Sequence, residues 1–236
     1  MTIKENLARV QKRVSDAARR AGRDPADVQL VAVTKTIPVE VIKEALDLGV
    51  HHLGENRVQE FLYKQPALGA DIKWHFIGHL QSNKVRKIID KVSLIHSLDR
   101  WSLARTISRV AGETGVSVRA LIQVNVSGET TKHGLSPVEA EDFALAVMDL
   151  PGLQVCGLMT IAPLSKDPEE VRYVFRQTKE LARQIKKNIP EIKMDLLSMG
   201  MTGDFEVALE EGANLIRLGT ALFGRRNQAG KNIMDT

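Results

Sequence analysis

The stretch "VAVTKT", residues 31 to 36, is apolar until it delivers a lysine to its own end. A run of this composition predicts a strand covered on both faces, and a period of two puts Lys35 on the face of Val31 and Val33. Such a lysine either reaches solvent along its aliphatic stem or sits where its amine is used. Desolvation lowers a lysine pKa, which turns the neutral amine into a nucleophile for carbonyls. Far along the chain, "LSMGMTGDFEVALEEG" carries Ser198 and Thr202 in a glycine-containing turn that opens an amphipathic helix. "IRLGTALFG" sets Gly219 and Thr220 directly after another apolar run. Hydroxyls, glycine-exposed amides and the positive end of a helix suit a phosphate dianion, and the same hydroxyls also serve as plain helix caps. Arg217, in the apolar frame "LIRLG", is a permanent cation and donor. A phosphate on one side of a mouth and a lysine on the other point to pyridoxal 5'-phosphate (PLP). Its aldehyde condenses with an amine, and Arg217 would keep its pyridine nitrogen unprotonated, which weakens the ring as an electron sink.

The elements that must position these groups alternate. Strand-like runs occupy 29–35, 51–56, 73–78, 92–98, 119–126, 153–160, 195–200 and 214–219. Between them lie helical patterns: one opened by Pro38 and closed by Gly49, another opened by Asp167 and Pro168 with Val171, Val174, Phe175, Thr178, Leu181 and Ile185 on one face. Strands separated by helices imply parallel crossovers, and eight such units predict a (β/α)8 TIM barrel, an α/β fold. The segment after Gly219 is short and polar for a long eighth helix. A helix from Ile3, Leu7, Val10, Val14, Ala17, Ala18 and Ala21 to the stop at Gly22 is expected to complete the outer ring. No linker or break in composition divides residues 1–236, so one domain is expected. In this fold the site lies at the C-terminal ends of the strands, which offer Lys35, Asn56, His75, His96, Asn125, Thr160, Ser198, Thr202, Arg217, Gly219 and Thr220.

The conspicuous blocks "LGENRVQE", "WHFIGHLQSNK", "IHSLD", "QVNVSGETTKHG", "GLMTIAP", "LSMGM" and "IRLGTALFGRR" together resemble, in order and along nearly the whole chain, the pyridoxal phosphate homeostasis protein family, whose fold is the alanine racemase N-terminal barrel. The resemblance implies that Lys35 holds PLP as a Schiff base and that Arg217 meets the pyridine nitrogen. It implies Ser198, Thr202, Gly219 and Thr220 as phosphate ligands, with Asn56 and His75 near the ring or mouth. Lys132 corresponds to a lysine in the family's flexible loop. Two departures are visible: Thr202 replaces a serine, and His79 stands where proline is common. The implied role is intracellular buffering or delivery of PLP, possible recipients being apo PLP-dependent enzymes, by a monomer or weak dimer.

Rival classes have less support. A racemase or lyase on the same barrel needs an opposing acid or base; in alanine racemase a tyrosine from a further β domain supplies it, and the only tyrosines here, Tyr63 and Tyr173, fall on predicted helices. A nucleic-acid or regulatory module would use a basic surface. The net charge is +4, the aromatics are 4%, and Lys84, Arg86, Lys87 and Lys91 lie on the polar side of a helical pattern, so nucleic acid is not expected as a partner. No metal is expected either, since the histidines fall on different units and no HExxH spacing occurs. The single cysteine, Cys156, reads as a core thiol, and a charged N-terminus without an apolar segment predicts a cytoplasmic protein away from membranes.

Overall fold

Each of the eight apolar runs forms a parallel strand in the computed structural model, which describes residues 1–224. The strands are β1 (Gln29–Val33), β2 (His52–Glu55), β3 (Lys73–Phe76), β4 (Leu94–Leu98), β5 (Val118–Gln123), β6 (Leu153–Met159), β7 (Leu196–Ser198) and β8 (Leu215–Leu218). They close in sequence order, and β1 pairs with β8 through Ala32 opposite Leu218. Alternation along each strand sorts side chains into two cores. Val31, Leu94, Leu121, Cys156, Met159 and Leu215 fill the barrel interior. Leu53, Trp74, Phe76, Ile95, Ile122, Leu158 and Ile216 face the helices. Gly157 lets β6 and β7 close, because a Cβ there would overlap the Leu196 carbonyl oxygen.

The outer layer comprises α1 (Ile3–Arg20), α2 (Val39–Asp47), α3 (Val58–Leu68), α4 (Val85–Ile88), α5 (Trp101–Thr114), α6 (Pro137–Met148), α7 (Arg172–Asn188), α8 (Phe205–Glu210) and α9 (Thr220–Phe223). The N-terminal helix does occupy the gap left by the short α9. Asn6 donates to the Leu222 carbonyl at 3.0 Å, Arg13 pairs with Glu206 and stacks on Phe205, and Arg20 pairs with Glu210. The basic stretch after Gln81 forms a 3-10 turn (Ser82–Lys84) and then only the single turn of α4, because the chain turns at Asp90 and Lys91 to enter β4. Asp167 caps a 3-10 turn (Pro168–Val171) that leads into α7 rather than α7 itself. The expected extension of β1 to Lys35 is also cut short: the strand ends at Val33, and Lys35 sits in a turn. Arg225 and Arg226, the end of the last quoted block, lie outside the described residues. Among the described residues no helix is long and apolar enough to cross a membrane.

Candidate functional site

The turn that presents Lys35 is held from below by a buried ionic cluster. Thr34 to Ile37 close through the Ile37 amide on the Thr34 carbonyl at 2.9 Å, and Thr36 adopts a φ of 62°, an uncommon conformation for a β-branched residue. Lys64 of α3, only 4% exposed, donates to the Thr34 carbonyl at 2.7 Å, to Glu55 Oε1 at 2.7 Å and to Glu60 Oε2 at 3.0 Å. Thr34 Oγ1 donates to the same Glu55 oxygen at 2.7 Å, and Glu60 accepts the Thr36 N–H at 2.7 Å. Both neighbours of Lys35 are therefore pinned through one ammonium and its carboxylates, while Lys35 itself is half-buried at the strand-one end. Burial pushes the Glu55 carboxyl up against the opposing pull of Lys64 and Thr34. Glu60 stays low because the Thr36 amide and Lys64 outweigh its burial.

Barrel closure sets the loops after β7 and β8 beside this turn, since β8 is the neighbour of β1. The lysine and the expected phosphate loops thus share one side of the mouth rather than facing each other across it. Thr202 Oγ1 accepts the Ala221 N–H at 3.2 Å, which ties the two loops together next to Gly219 and Thr220. Beneath them Arg217 is buried inside the barrel. It donates to the Ser198 carbonyl at 2.7 Å, to Ser198 Oγ at 2.6 Å and to the Thr160 carbonyl at 2.8 Å. Those bonds use three of its five N–H groups, leaving two donors. Among the described residues no carboxylate lies within ion-pair distance of it; burial lowers its pKa to about 10, with distant Asp204 opposing, so it stays charged at neutral pH.

Ser198 and His75 sit elsewhere than expected. Ser198 is 0% exposed, with its hydroxyl between Arg217 and His96, so it has no surface to offer a phosphate. His75 lies under the mouth with both ring nitrogens taken, Nε2 by His52 Nδ1 and Nδ1 by His96 Nε2, each at 2.9 Å. His96 Nδ1 then meets Ser198 Oγ at 2.9 Å. The result is a chain Arg217–Ser198–His96–His75–His52 through the barrel. Burial lowers the His75 pKa to about 3 and puts His96 well below its usual range, with neighbouring charges adding to both. Neutral imidazoles each give one donor and one acceptor, so the bonds in the chain must all run the same way. The chain ends at a cavity of about 600 Å3 at the N-terminal ends of β1 and β2, lined mostly by apolar side chains with His51 and His52. That cavity lies away from Lys35 and lacks convergent donors.

Asn56 lines a cleft of about 200 Å3 with His79 and Lys84, and its buried Oδ1 has no hydrogen-bond partner among the described residues. Lys132 reaches Glu129 at 3.0 Å and the Ile161 carbonyl at 3.5 Å, so its loop leans over the end of β6. Sequence reasoning missed Lys64. Its only local signal was the four-residue spacing from Glu60, which reads as an exposed helix pair.

Comparison with known proteins places the same barrel in a family. Residues 5–227 match the family described as alanine racemase, N-terminal domain. A pyridoxal phosphate homeostasis protein from Aquifex aeolicus is 46% identical over 227 residues, covering 96% of this chain and 99% of the relative. Its counterpart in Pseudomonas aeruginosa is 43% identical, with 96% of both chains covered. The structure of PipY from Synechococcus elongatus with PLP bound superposes with a TM-score of 0.84 at 38% identity, covering 94% of this chain and all of PipY. Alanine racemase from Clostridium difficile, at 16% identity and a TM-score of 0.70 over 57% of its length, shares the barrel. On a closed eight-stranded barrel with full-length relatives of this kind, the chain belongs to the pyridoxal phosphate homeostasis protein family.

Proposed function

We propose that the protein binds PLP at the mouth formed by β1, β7 and β8 and serves in PLP homeostasis, holding and releasing the cofactor without substantial catalysis of its own. The observation that carries this reading is Arg217, a buried cation with no carboxylate in contact among the described residues and two N–H groups to spare, beneath a mouth that carries Lys35 and Thr202. A buried charge of that kind calls for an electron-rich partner. The residues present fit the group: a half-buried amine, a fixed donor for a ring nitrogen, the hydroxyl of Thr202 with the loop of Gly219 and Thr220 for a phosphate, and the orphaned Asn56 Oδ1 at the rim. PLP, when bound, supplies an aldehyde for an amine and a ring that can accept electrons. Lys35 offers the amine, and the Lys64 cluster fixes its turn. Arg217 donates without releasing a proton, and Ser198 orients it from below. Tyr63 and Tyr173, the two tyrosines of the sequence, are exposed on α3 and α7, which supplies no second acid or base for a racemase. Transfer to apo PLP-dependent enzymes and a cytoplasmic setting belong to the same proposal.

The test is to incubate the full chain with PLP, reduce with borohydride and map the peptides. The pyridoxyl mass is expected on Lys35; its presence only on Lys132, or nowhere, refutes the assignment. In deuterated water with alanine or serine, alpha-proton exchange is expected well below about one per second, the lower end of ordinary turnover.

Thr202 gives a separate expectation. Thr202→Val removes one charge-assisted hydrogen bond, worth roughly 1.5–3 kcal/mol, so PLP affinity should fall on the order of tenfold to a hundredfold. Pyridoxal, which lacks the phosphate, should bind the variant and the parent alike. Equal losses for both ligands would place Thr202 outside the phosphate cradle.

A further inference from the structure

The rim of the barrel gathers three groups that sequence spacing kept apart. His79 follows β3, Asp99 follows β4, and His133 lies in the loop after β5, yet their ligating atoms all fall within 4.8 Å of one another. We propose that His79, Asp99 and His133 form a binding site for a divalent cation of zinc-like chemistry, which fastens the loop after β5 to the ends of β3 and β4.

Two imidazoles and one carboxylate make a three-ligand set with positions left for water, the donor chemistry that zinc and cobalt share. His79 Nδ1 stands 3.4 Å from Asp99 Oδ2. Two ligands on a tetrahedral zinc are about 3.3 Å apart, given bonds of roughly 2.0–2.2 Å. As a direct ion pair the same contact is too long for a good hydrogen bond. The His79 and His133 rings stack with centroids 4.3 Å apart and planes at 24°. Both are exposed, so a rotation about the ring bond brings the third nitrogen in without moving the backbone.

The supports of the site are already built. Asp99 is mostly buried, and its other oxygen accepts from Arg100 Nη1 at 2.6 Å, the kind of outer hydrogen bond that orients ligating carboxylates. Arg100 also donates to the Leu80 carbonyl at 2.6 Å, so one guanidinium sets both barrel ligands. The His133 carbonyl accepts from Gln123 Nε2 at 2.9 Å. Gly134 follows with φ 126°, where a Cβ would come within 2.9 Å of the Asn125 nitrogen, so the loop returns tightly against β5. The same loop carries Lys132, whose ammonium reaches the end of β6. A cation here would hold that loop at the mouth whether or not a cofactor is present.

The experiment titrates the full chain, without PLP, with zinc followed by calorimetry and with cobalt followed by its visible absorption. One equivalent should bind saturably in the micromolar range. His79→Gln and His133→Gln should each weaken it by more than about tenfold to a hundredfold, the loss already expected for an outer-shell partner. His51→Gln, an exposed histidine at the opposite end of the barrel, should leave it unchanged. Hydrogen exchange across residues 126–134 should slow with zinc in the parent and not in His133→Gln. Absence of saturable binding, binding that survives both rim substitutions, or binding that is lost in His51→Gln overturns the site. Rim-dependent binding without slower exchange overturns the fastening.

Discussion

Replacing Lys64 with methionine is expected to destabilise the barrel by about 3–5 kcal/mol, the range for removing one member of a buried ion pair. The loss comes less from the attraction forfeited than from what is left behind. Glu55 is fully buried, its second carboxylate oxygen has no partner among the described residues, and without the ammonium its charge keeps only the Thr34 hydroxyl there. The Thr34 carbonyl loses one of its two donors and keeps the Ile37 amide, and Glu60 keeps only the Thr36 amide. Because those bonds flank Lys35, labelling of Lys35 by PLP and borohydride should fall together with stability. A second substitution provides the check. Glu55→Gln in the Lys64→Met background removes the stranded charge and should restore more than half of the loss, so the two changes are strongly non-additive in a double-mutant cycle. Lowering the pH should shrink the penalty of Lys64→Met relative to the parent, because burial pushes the Glu55 carboxyl up and, without Lys64 to oppose it, protonation relieves the stranded charge in the folded variant. Urea unfolding of the four proteins measures all of this, and a penalty under about 1 kcal/mol for Lys64→Met would refute a structural role for the cluster.

Acid should undo the barrel through its histidine chain. His75 and His96 are buried neutral, with the His75 pKa near 3 and that of His96 depressed as well, whereas an unfolded histidine titrates near 6.5. Below 6.5 the unfolded chain therefore binds protons that the folded chain refuses, and stability falls with pH until the folded values are reached. From pH 7 to pH 5 His75 alone costs about 2 kcal/mol, and His96 adds a loss of the same sign. The carboxylates held low by arginines and lysines, such as Glu210 and Glu211, lose their contribution only below about pH 4.5. The buried carboxyls pushed up, Glu55 and Asp204, favour the folded state as pH falls, so a net loss in this window comes from the histidines. His96→Gln retains a donor and an acceptor in the chain but cannot be protonated, and should make the pH dependence shallower whatever it does to stability at pH 7. Urea unfolding at pH 7, 6 and 5 provides the measurement. A flat profile for the parent between pH 7 and pH 5 would mean that these histidines are not held neutral.

The sequence by itself determined the elements and the class of fold. Apolar runs such as "QLVAV" and "LIRL" are visible because strand burial on two faces leaves a local signature, and helices between them force parallel crossovers. The placement of Lys35, Arg217, Thr202 and Thr220 at strand ends could be read for the same reason: strand ends are visible along the chain, and in this fold they form the mouth. Tertiary structure alone decided what those side chains touch. Closing the barrel made β1 the neighbour of β8, which moved the lysine next to the loops after β7 and β8 instead of across from them. It turned Ser198 and His75 from ligands at the mouth into links beneath it. It also joined Lys64 to Glu55 and gathered His79, Asp99 and His133 from three loops. Hydrophobic periodicity is a property of neighbours in sequence, whereas a hydrogen bond between buried polar groups depends on which distant segments the closed sheet brings within about 3 Å.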